Sequence, residues 1–118
     1  MMQPAGITNI YDLPCFINDA MCELDNKAYH KTDEIMKEAQ QLIDIANTRV
    51  KYLASCIRTW SYCIIENGLT AETEHEIRYL NIDNKELQEI TAILMEVDDF
   101  MLRLRNDVGY QNYNQKTA

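Results

Sequence analysis

The stretch LQEITAILMEVDDFMLRL, residues 87–104, carries an apolar residue at every seam position of a helical heptad pattern. Apolar residues that recur three and four places apart line one side of an α-helix, and that side must be buried. The flanking residues are apolar too, so the apolar arc covers about half the cylinder, whereas one neighbouring helix needs only about 100°. We therefore expect this helix to contact at least two neighbours. The seam is Leu87, Ile90, Leu94, Val97, Met101, Leu104 and Val108, flanked by Ile93, Met95, Phe100 and Leu102.

A longer seam runs through residues 33–66 and predicts one helix of roughly 50 Å, at about 1.5 Å per residue. Thr32 is the expected N-cap, and Asn67-Gly68 is the expected C-terminal stop. The helices predicted before and after it are too short to cover it alone. Its seam has Met36, Ile43, Val50, Ile57 and Ile64 at one heptad position and Ala39, Ala46, Leu53 and Trp60 at the other.

The remaining segments are predicted to be helical as well, because the chain has only 3 glycines and 2 prolines to interrupt helices. Asp12 is the expected N-cap of the first helix, and Asp83 with Glu86 resembles a capping box at the start of the last one. The prediction is an all-α antiparallel bundle of three to four helices, with one very long central helix, completed by dimerisation. A single domain spans residues 1–108, with helices at about 13–27, 33–66, 71–80 and 84–108, followed by a disordered polar tail at 109–118.

The charge of the chain limits its partners. The formal net charge is −8, which argues against direct nucleic-acid binding because such binding relies on Lys and Arg at phosphates. Residues 66–99 hold ten acids and two bases, so this segment alone carries −8. No stretch approaches the roughly 18 apolar residues of a membrane span, and the N-terminus does not resemble a signal peptide. We therefore expect a cytoplasmic protein that does not enter membranes.

The cysteines form two pairs, Cys15 with Cys22 and Cys56 with Cys63, each seven residues apart. A hairpin that reverses near residues 28–32 would separate Cys22 from Cys56 by roughly 20 Å along the helix axes. A disulfide needs Cα atoms within about 7 Å. Reduced thiols in the core are therefore the favoured interpretation, with disulfides or a metal site as the alternative.

No residue pattern in the chain predicts catalysis or a cofactor. Glu72 and His75 have the Glu-x-x-His spacing of di-iron bundles, but the other histidine, His30, has Lys27 in the matching place. No glycine-rich turn follows a cysteine or forms a phosphate loop. We expect a protein that is not an enzyme and that binds neither metal nor cofactor.

The apolar surface in excess of the two seams predicts a protein-binding face. One interpretation is that the first helix and the segment 71–80 cover this surface; the other is that a second copy or a partner helix does. A basic line at Lys37, Lys51 and Arg58 would then meet the acidic segment of another subunit. The predicted dimer or partner interface is Val50, Leu53, Ile57, Trp60, Ile93, Met95, Phe100 and Leu102, with an off-seam partner face of Ile45, Tyr52, Tyr62 and Ile65.

Two functional hypotheses remain at this stage. The first is a small acidic helical adaptor or chaperone-like protein that acts as a homodimer and holds a protein partner. The second is an acidic inhibitor or decoy, of the type that phages and mobile elements encode, which blocks a basic nucleic-acid-binding surface of a target protein. The acidic surface assigned to the second hypothesis consists of Glu72, Glu74, Glu76, Asp98 and Asp99.

Overall fold

The computed structural model describes residues 9–117, and 93% of them are helical. The described residues form four α-helices and no strand, so the predicted all-α class is confirmed. One turn of 3-10 helix precedes the first α-helix and another precedes the third. The α-helices are α1 (Leu13–Asp25), α2 (Tyr29–Asn67), α3 (Glu74–Asn106) and α4 (Val108–Thr117), and the 3-10 turns are Ile10–Asp12 and Ala71–Thr73.

The chain divides into two compact units. The terminal unit comprises Met1–Ile45 and Ile93–Ala118, and the hairpin unit comprises Ala46–Ala92. The long helices α2 and α3 each contribute residues to both units. The hairpin unit consists of the end of α2, the turn that follows it and the beginning of α3. The prediction of a single domain over residues 1–108 stays a prediction.

Helix α1 forms as the apolar spacing predicts. Its buried residues repeat at intervals of four, three and four, and Pro14 lies in the first turn, where a missing N–H costs nothing. Asp12 occupies the predicted N-cap position of α1 but makes no side-chain capping bond. The preceding 3-10 turn is capped instead by Asn9, whose side-chain oxygen accepts from the Tyr11 N–H at 3.0 Å. The buried residues of α1 are Leu13, Ile17, Ala20 and Leu24.

Helix α2 begins earlier than predicted, because Thr32 is a helical residue and not a cap. Its side chain is fully buried, and its hydroxyl donates to the Ala28 carbonyl at 3.1 Å. This back-bond to the residue four places earlier satisfies the hydroxyl inside the helix. The end at Asn67 agrees with the sequence, since Gly68 follows with φ 77°, a left-handed conformation that favours glycine.

Helix α3 continues through residues 81–83, where a break between two helices is predicted from the sequence. The expected capping box at Asp83 is therefore wrong. The half-buried Asp83 carboxylate instead accepts a hydrogen bond from the Trp60 indole N–H at 2.9 Å. No glycine or proline interrupts residues 74–106, so nothing in the backbone forces a break there.

The C-terminal segment forms α4, so the prediction of disorder does not agree with the structure at residues 109–117; Ala118 lies outside the described residues. Two tyrosines three places apart explain the difference. The Tyr110 and Tyr113 rings lie 6.2 and 5.7 Å from the Tyr29 ring, and the Tyr110 hydroxyl donates to the Asp33 carboxylate. Burial raises the pKa of Tyr110, with the bond to Asp33 adding to the rise. The segment is polar and has little helical periodicity, so the sequence alone does not predict these tyrosine contacts.

Thr73 fixes the turn between α2 and α3. Its side chain is 2% exposed, and its hydroxyl accepts from the Thr70 N–H at 2.9 Å and donates to the Gly68 carbonyl at 2.6 Å. The Thr73 N–H also donates to the Thr70 carbonyl at 3.1 Å. One buried hydroxyl thus satisfies backbone groups on both sides of the turn.

Replacing Thr73 with valine should destabilise the hairpin unit. The shape is retained, but the Thr70 N–H and the Gly68 carbonyl lose their hydrogen bonds to the Thr73 hydroxyl, each of which contributes about 0.5–1.5 kcal/mol. Urea unfolding followed by circular dichroism measures this change. Thr59→Val is the matched control, because the Thr59 hydroxyl is exposed and donates only to the Ser55 carbonyl. Equal stability of the two variants would contradict the role of Thr73.

Gly109→Ala should loosen α4, although alanine normally stabilises a helix by about 0.5–1 kcal/mol relative to glycine. A Cβ at residue 109 would overlap the hydroxyl of Tyr29, and that ring packs against Tyr110 and Tyr113. Hydrogen exchange read by mass spectrometry should show faster exchange in residues 108–117 and unchanged exchange in residues 74–92. Slower exchange in α4 would show that the Tyr29 ring adapts without cost.

Candidate protein-binding surface

The hairpin unit carries a row of large side chains that we call the aromatic strip, defined as Tyr52, Trp60, His75, Tyr79 and Ile82. Trp60 of α2 and Tyr79 of α3 stack with ring centroids 5.5 Å apart and an interplanar angle of 23°. His75 meets the Tyr79 ring edge-on at 4.5 Å. Aromatic contacts therefore run from α2 across to α3 within this unit.

Trp60 is held in one orientation from two sides. Its indole N–H donates to the Asp83 carboxylate at 2.9 Å, and Tyr79 stacks against its ring. A buried or half-buried indole N–H needs such a partner. The result is a fixed aromatic platform that loses little conformational freedom when another molecule covers it.

Arg49 and Glu86 join the two helices beside the strip. The guanidinium donates to both carboxylate oxygens, at 2.5 and 2.9 Å. This bond lowers the pKa of the Glu86 carboxyl and raises the pKa of the Arg49 guanidinium. The same guanidinium lies 5.1 Å from the centroid of the Tyr52 ring, a cation–π contact. The pKa of Tyr52 is raised, mainly by a hydrogen bond with the Cys56 thiol.

The strip remains open to solvent even though its members are held in place. Tyr52 is 57% exposed and Ile82 is 55% exposed. At the turn end of the same unit, Ile65 and Leu69 are 79% and 78% exposed. Tyrosine, tryptophan and arginine are the residue types that contribute most at protein interfaces. This composition makes the surface a candidate for protein binding.

The structure separates the residues of the predicted interface by burial. Leu53 and Phe100 are 0% and 2% exposed, so their side chains offer almost no surface to a partner. Tyr52 and Trp60 both lie in the hairpin unit. The terminal unit contains five of the predicted interface residues: Ile45, Ile93, Met95, Phe100 and Leu102. The half-buried residues of the predicted interface are Val50, Ile57, Trp60, Ile45 and Ile93. The exposed ones are Met95, Leu102, Tyr52, Tyr62 and Ile65.

Sequence reasoning missed Arg49, Tyr79 and Ile82, and considered His75 only as a metal ligand. Tyr79 and Ile82 lie three residues apart and so share one side of a helix. The sequence predicts a break between helices at residues 81–83, and that break separates Tyr79 from Ile82. The Arg49–Glu86 pair joins residues 37 places apart, a separation that periodicity cannot predict.

The acidic surface is less uniform than the sequence implies. Glu72, Glu74, Asp98 and Asp99 are exposed, and Glu74 pairs with Arg78 at 3.2 Å. Glu76 is half-buried, and one of its carboxylate oxygens is buried without a hydrogen-bond partner. The hairpin unit contains seven acids and five bases, a net charge of −2. The three cations of α2 in this unit therefore offset part of the acid of residues 66–92, whereas Glu96, Asp98 and Asp99 lie in the terminal unit.

The cysteines are free thiols. Cys15 and Cys22 are exposed on α1, so the prediction that they are core thiols is wrong; Cys56 and Cys63 are half-buried. Among residues 9–117, no three or more His, Cys, Asp and Glu side chains form a group that could hold a metal ion.

Comparison of the chain with protein-family models, with characterised proteins and with solved structures finds no match. In the part of the chain that the structure describes, no helix is both long and apolar enough to cross a membrane.

Glu86→Gln should destabilise the chain at neutral pH by about 1 kcal/mol, the upper range for an ion pair near the surface. Because the folded pKa of Glu86 lies below its ordinary value of 4.5, the wild-type advantage is complete above that pH. It should disappear as the pH falls through the folded pKa. Urea unfolding at pH 7 and along an acid series measures the difference.

Glu74→Gln is the matched control for this experiment. Its partner is also an arginine, but both side chains of the Glu74–Arg78 pair are 70% exposed, so the loss should be smaller at every pH. An equal loss in the two variants would contradict the structural role of the Arg49–Glu86 pair.

Proposed function

We propose that this protein is a non-enzymatic protein–protein interaction protein, a small acidic adaptor or chaperone-like protein, and that it forms a homodimer through its hairpin unit. The observation that carries this proposal is the aromatic strip, in which Tyr52 and Ile82 stay exposed beside the fixed Trp60–Tyr79 stack. A surface of this composition supports binding to protein.

Burial of the strip gives the driving force for association. Covering one large apolar side chain contributes about 1.5–3 kcal/mol before the costs of association are subtracted. Several such residues on one unit are needed to exceed those costs, and the strip supplies them. Two hairpin units packed on their strips would form a four-helix antiparallel bundle, which is the arrangement expected from the long central seam.

Charge favours a second copy as the occupant of the strip. Residues 46–67 of α2 hold three bases and one acid, a net charge of +2, whereas residues 74–92 of α3 hold five acids and two bases, a net charge of −3. A two-fold dimer presents the same patch from both subunits. The positive α2 segment of one copy would then lie against the negative α3 segment of the other, which sets orientation more than affinity.

The adaptor activity uses apolar surface outside the strip. Ile65 and Leu69 at the turn end of the hairpin unit are exposed and are proposed contacts for a partner protein. Met95 and Leu102 in the terminal unit are exposed as well and are proposed as separate contacts. We place the protein in the cytoplasm, where exposed thiols such as Cys15 and Cys22 stay reduced. Neither nucleic acid nor membrane is a proposed partner.

The acidic inhibitor is the less well supported alternative. The five acids assigned to it are divided between the hairpin unit, whose net charge is only −2, and the terminal unit, which holds Asp98 and Asp99. In the hairpin unit, Asp83 and Glu86 are also engaged by Trp60 and Arg49. Binding by such a decoy would weaken steeply with salt, because exposed charges are screened beyond about 10 Å at 0.1 M. Binding through the strip would change little.

Light scattering on a sizing column tests the proposal directly. We expect a mass near twice 13.8 kDa that survives dilution and high salt. Ile82→Ser should raise the dimer dissociation constant about tenfold, because it removes roughly 1–2 kcal/mol of apolar burial. Val108→Ser is the matched control, since Val108 is 70% exposed and lies outside the strip.

The outcomes are separable when folding is checked by circular dichroism. A folded monomer at all concentrations would overturn the dimer. Equal effects of Ile82→Ser and Val108→Ser would show that association does not use the aromatic strip.

A further inference from the structure

A groove of about 490 Å³ lies between α1 and the C-terminal part of α3 in the terminal unit. Its deepest side chains are Ile17 and Phe100, which are 4% and 2% exposed, and the half-buried Pro14 and Met21 line it on the α1 side. The volume is within the range of about 300–1,000 Å³ found for ligand sites. The groove therefore offers an apolar floor with room for a large aliphatic side chain.

The α3 side of the groove is acidic. Glu96 and Asp99 line it and lie three residues apart, on one side of the helix. Both are exposed, and within residues 9–117 neither pairs with a cation. Arg103 follows on the same helix, but its guanidinium is already bonded to Asp25 of α1. The groove thus has unpaired negative charge at one end and a neutralised ion pair at the other.

We propose that this groove binds a segment of a partner protein in which one large apolar side chain is flanked by Lys or Arg. The apolar side chain occupies the floor over Ile17 and Phe100, and the cations pair with Glu96 and Asp99. Arg103 determines which way round the segment binds. A cation of the segment at the Arg103 end of the groove would lie beside a guanidinium, and the carboxylate there, Asp25, is already bonded to that guanidinium. The basic residue therefore lies on the side of the anchor nearer Glu96.

Charge selects this occupant over others. The terminal unit holds twelve acids and six bases, a net charge of −6, so phosphate-bearing ligands and a second copy of the same surface are repelled. A basic segment with an apolar anchor is attracted both by the negative charge of the unit and by the apolar floor of the groove. The proposal rests on the adaptor function in naming what the adaptor holds, but it does not depend on dimerisation.

The test uses the full chain and a labelled peptide with one leucine and a pair of lysines on one side of it, titrated by fluorescence anisotropy at low salt. Two companion peptides replace the leucine with serine or the lysines with glutamate. We expect binding of the leucine–lysine peptide alone. The double variant Glu96→Gln/Asp99→Asn should weaken it about fivefold, the effect of losing two exposed ion pairs. Glu72→Gln/Glu74→Gln removes the same charge from the hairpin unit and should change affinity less than twofold.

A second variant tests the groove without altering charge. Asn18→Trp places a large side chain at an exposed position that lines the groove, and it should abolish peptide binding. Asn47→Trp, at an exposed position on α2, should not. Circular dichroism confirms that each variant is folded.

Three results would overturn the proposal. Equal weakening by the two acidic double variants would mean that the peptide senses only general acidity. Equal binding of the serine peptide would mean that the apolar floor is unused, and no binding of any peptide would exclude the assigned chemistry. Light scattering on the same samples reports the dimer independently, so the failure of either proposal can be recognised separately.

Discussion

A pair of helices can bury only the sides that face each other, and this constraint governs the hairpin unit. Two contacts connect the α2 and α3 segments of this unit: the hydrogen bond from Trp60 to Asp83 and the ion pair of Arg49 with Glu86. Thr73 fixes the turn between them. Each of these contacts lies at the boundary between the buried seam and solvent. Tyr52, Tyr79 and Ile82, placed just outside that boundary, remain exposed because no third helical segment belongs to this unit.

The fold class and the course of α1 were predictable because apolar spacing reports burial directly. The ends of helices were less so. Thr32 resembles a cap in sequence, yet a bond to the Ala28 carbonyl places it inside α2. Asp83 resembles a cap as well, but the partner that claims its carboxylate, Trp60, is 23 residues away. Local patterns cannot reveal which of two hydrogen-bond partners a side chain will use.

The candidate site was only half visible for the same reason. Tyr52 and Trp60 were identifiable as apolar surface, whereas the value of Tyr79 appears only when its ring stacks on Trp60. The acidic segment shows the opposite error. Residues 66–92 hold seven acids and two bases, a net charge of −5, but Arg49, Lys51 and Arg58 belong to the same unit and bring its net charge to −2. The other three acids of the segment, Glu96, Asp98 and Asp99, lie in the terminal unit. Charge density along a chain is therefore a poor measure of charge density on a surface.

The opposite signs of the two helical segments in the hairpin unit also affect the rate of association. A positive segment beside a negative one gives the unit a transverse electric dipole, which exerts a torque on any similarly charged body that approaches. Encounters would be oriented before contact, so the association rate would fall as salt increases. The dissociation rate depends on the aromatic and aliphatic contacts and would be nearly independent of salt. Association and dissociation rates measured separately would therefore distinguish the electrostatic contribution from that of the aromatic and aliphatic contacts, whereas the equilibrium constant combines the two.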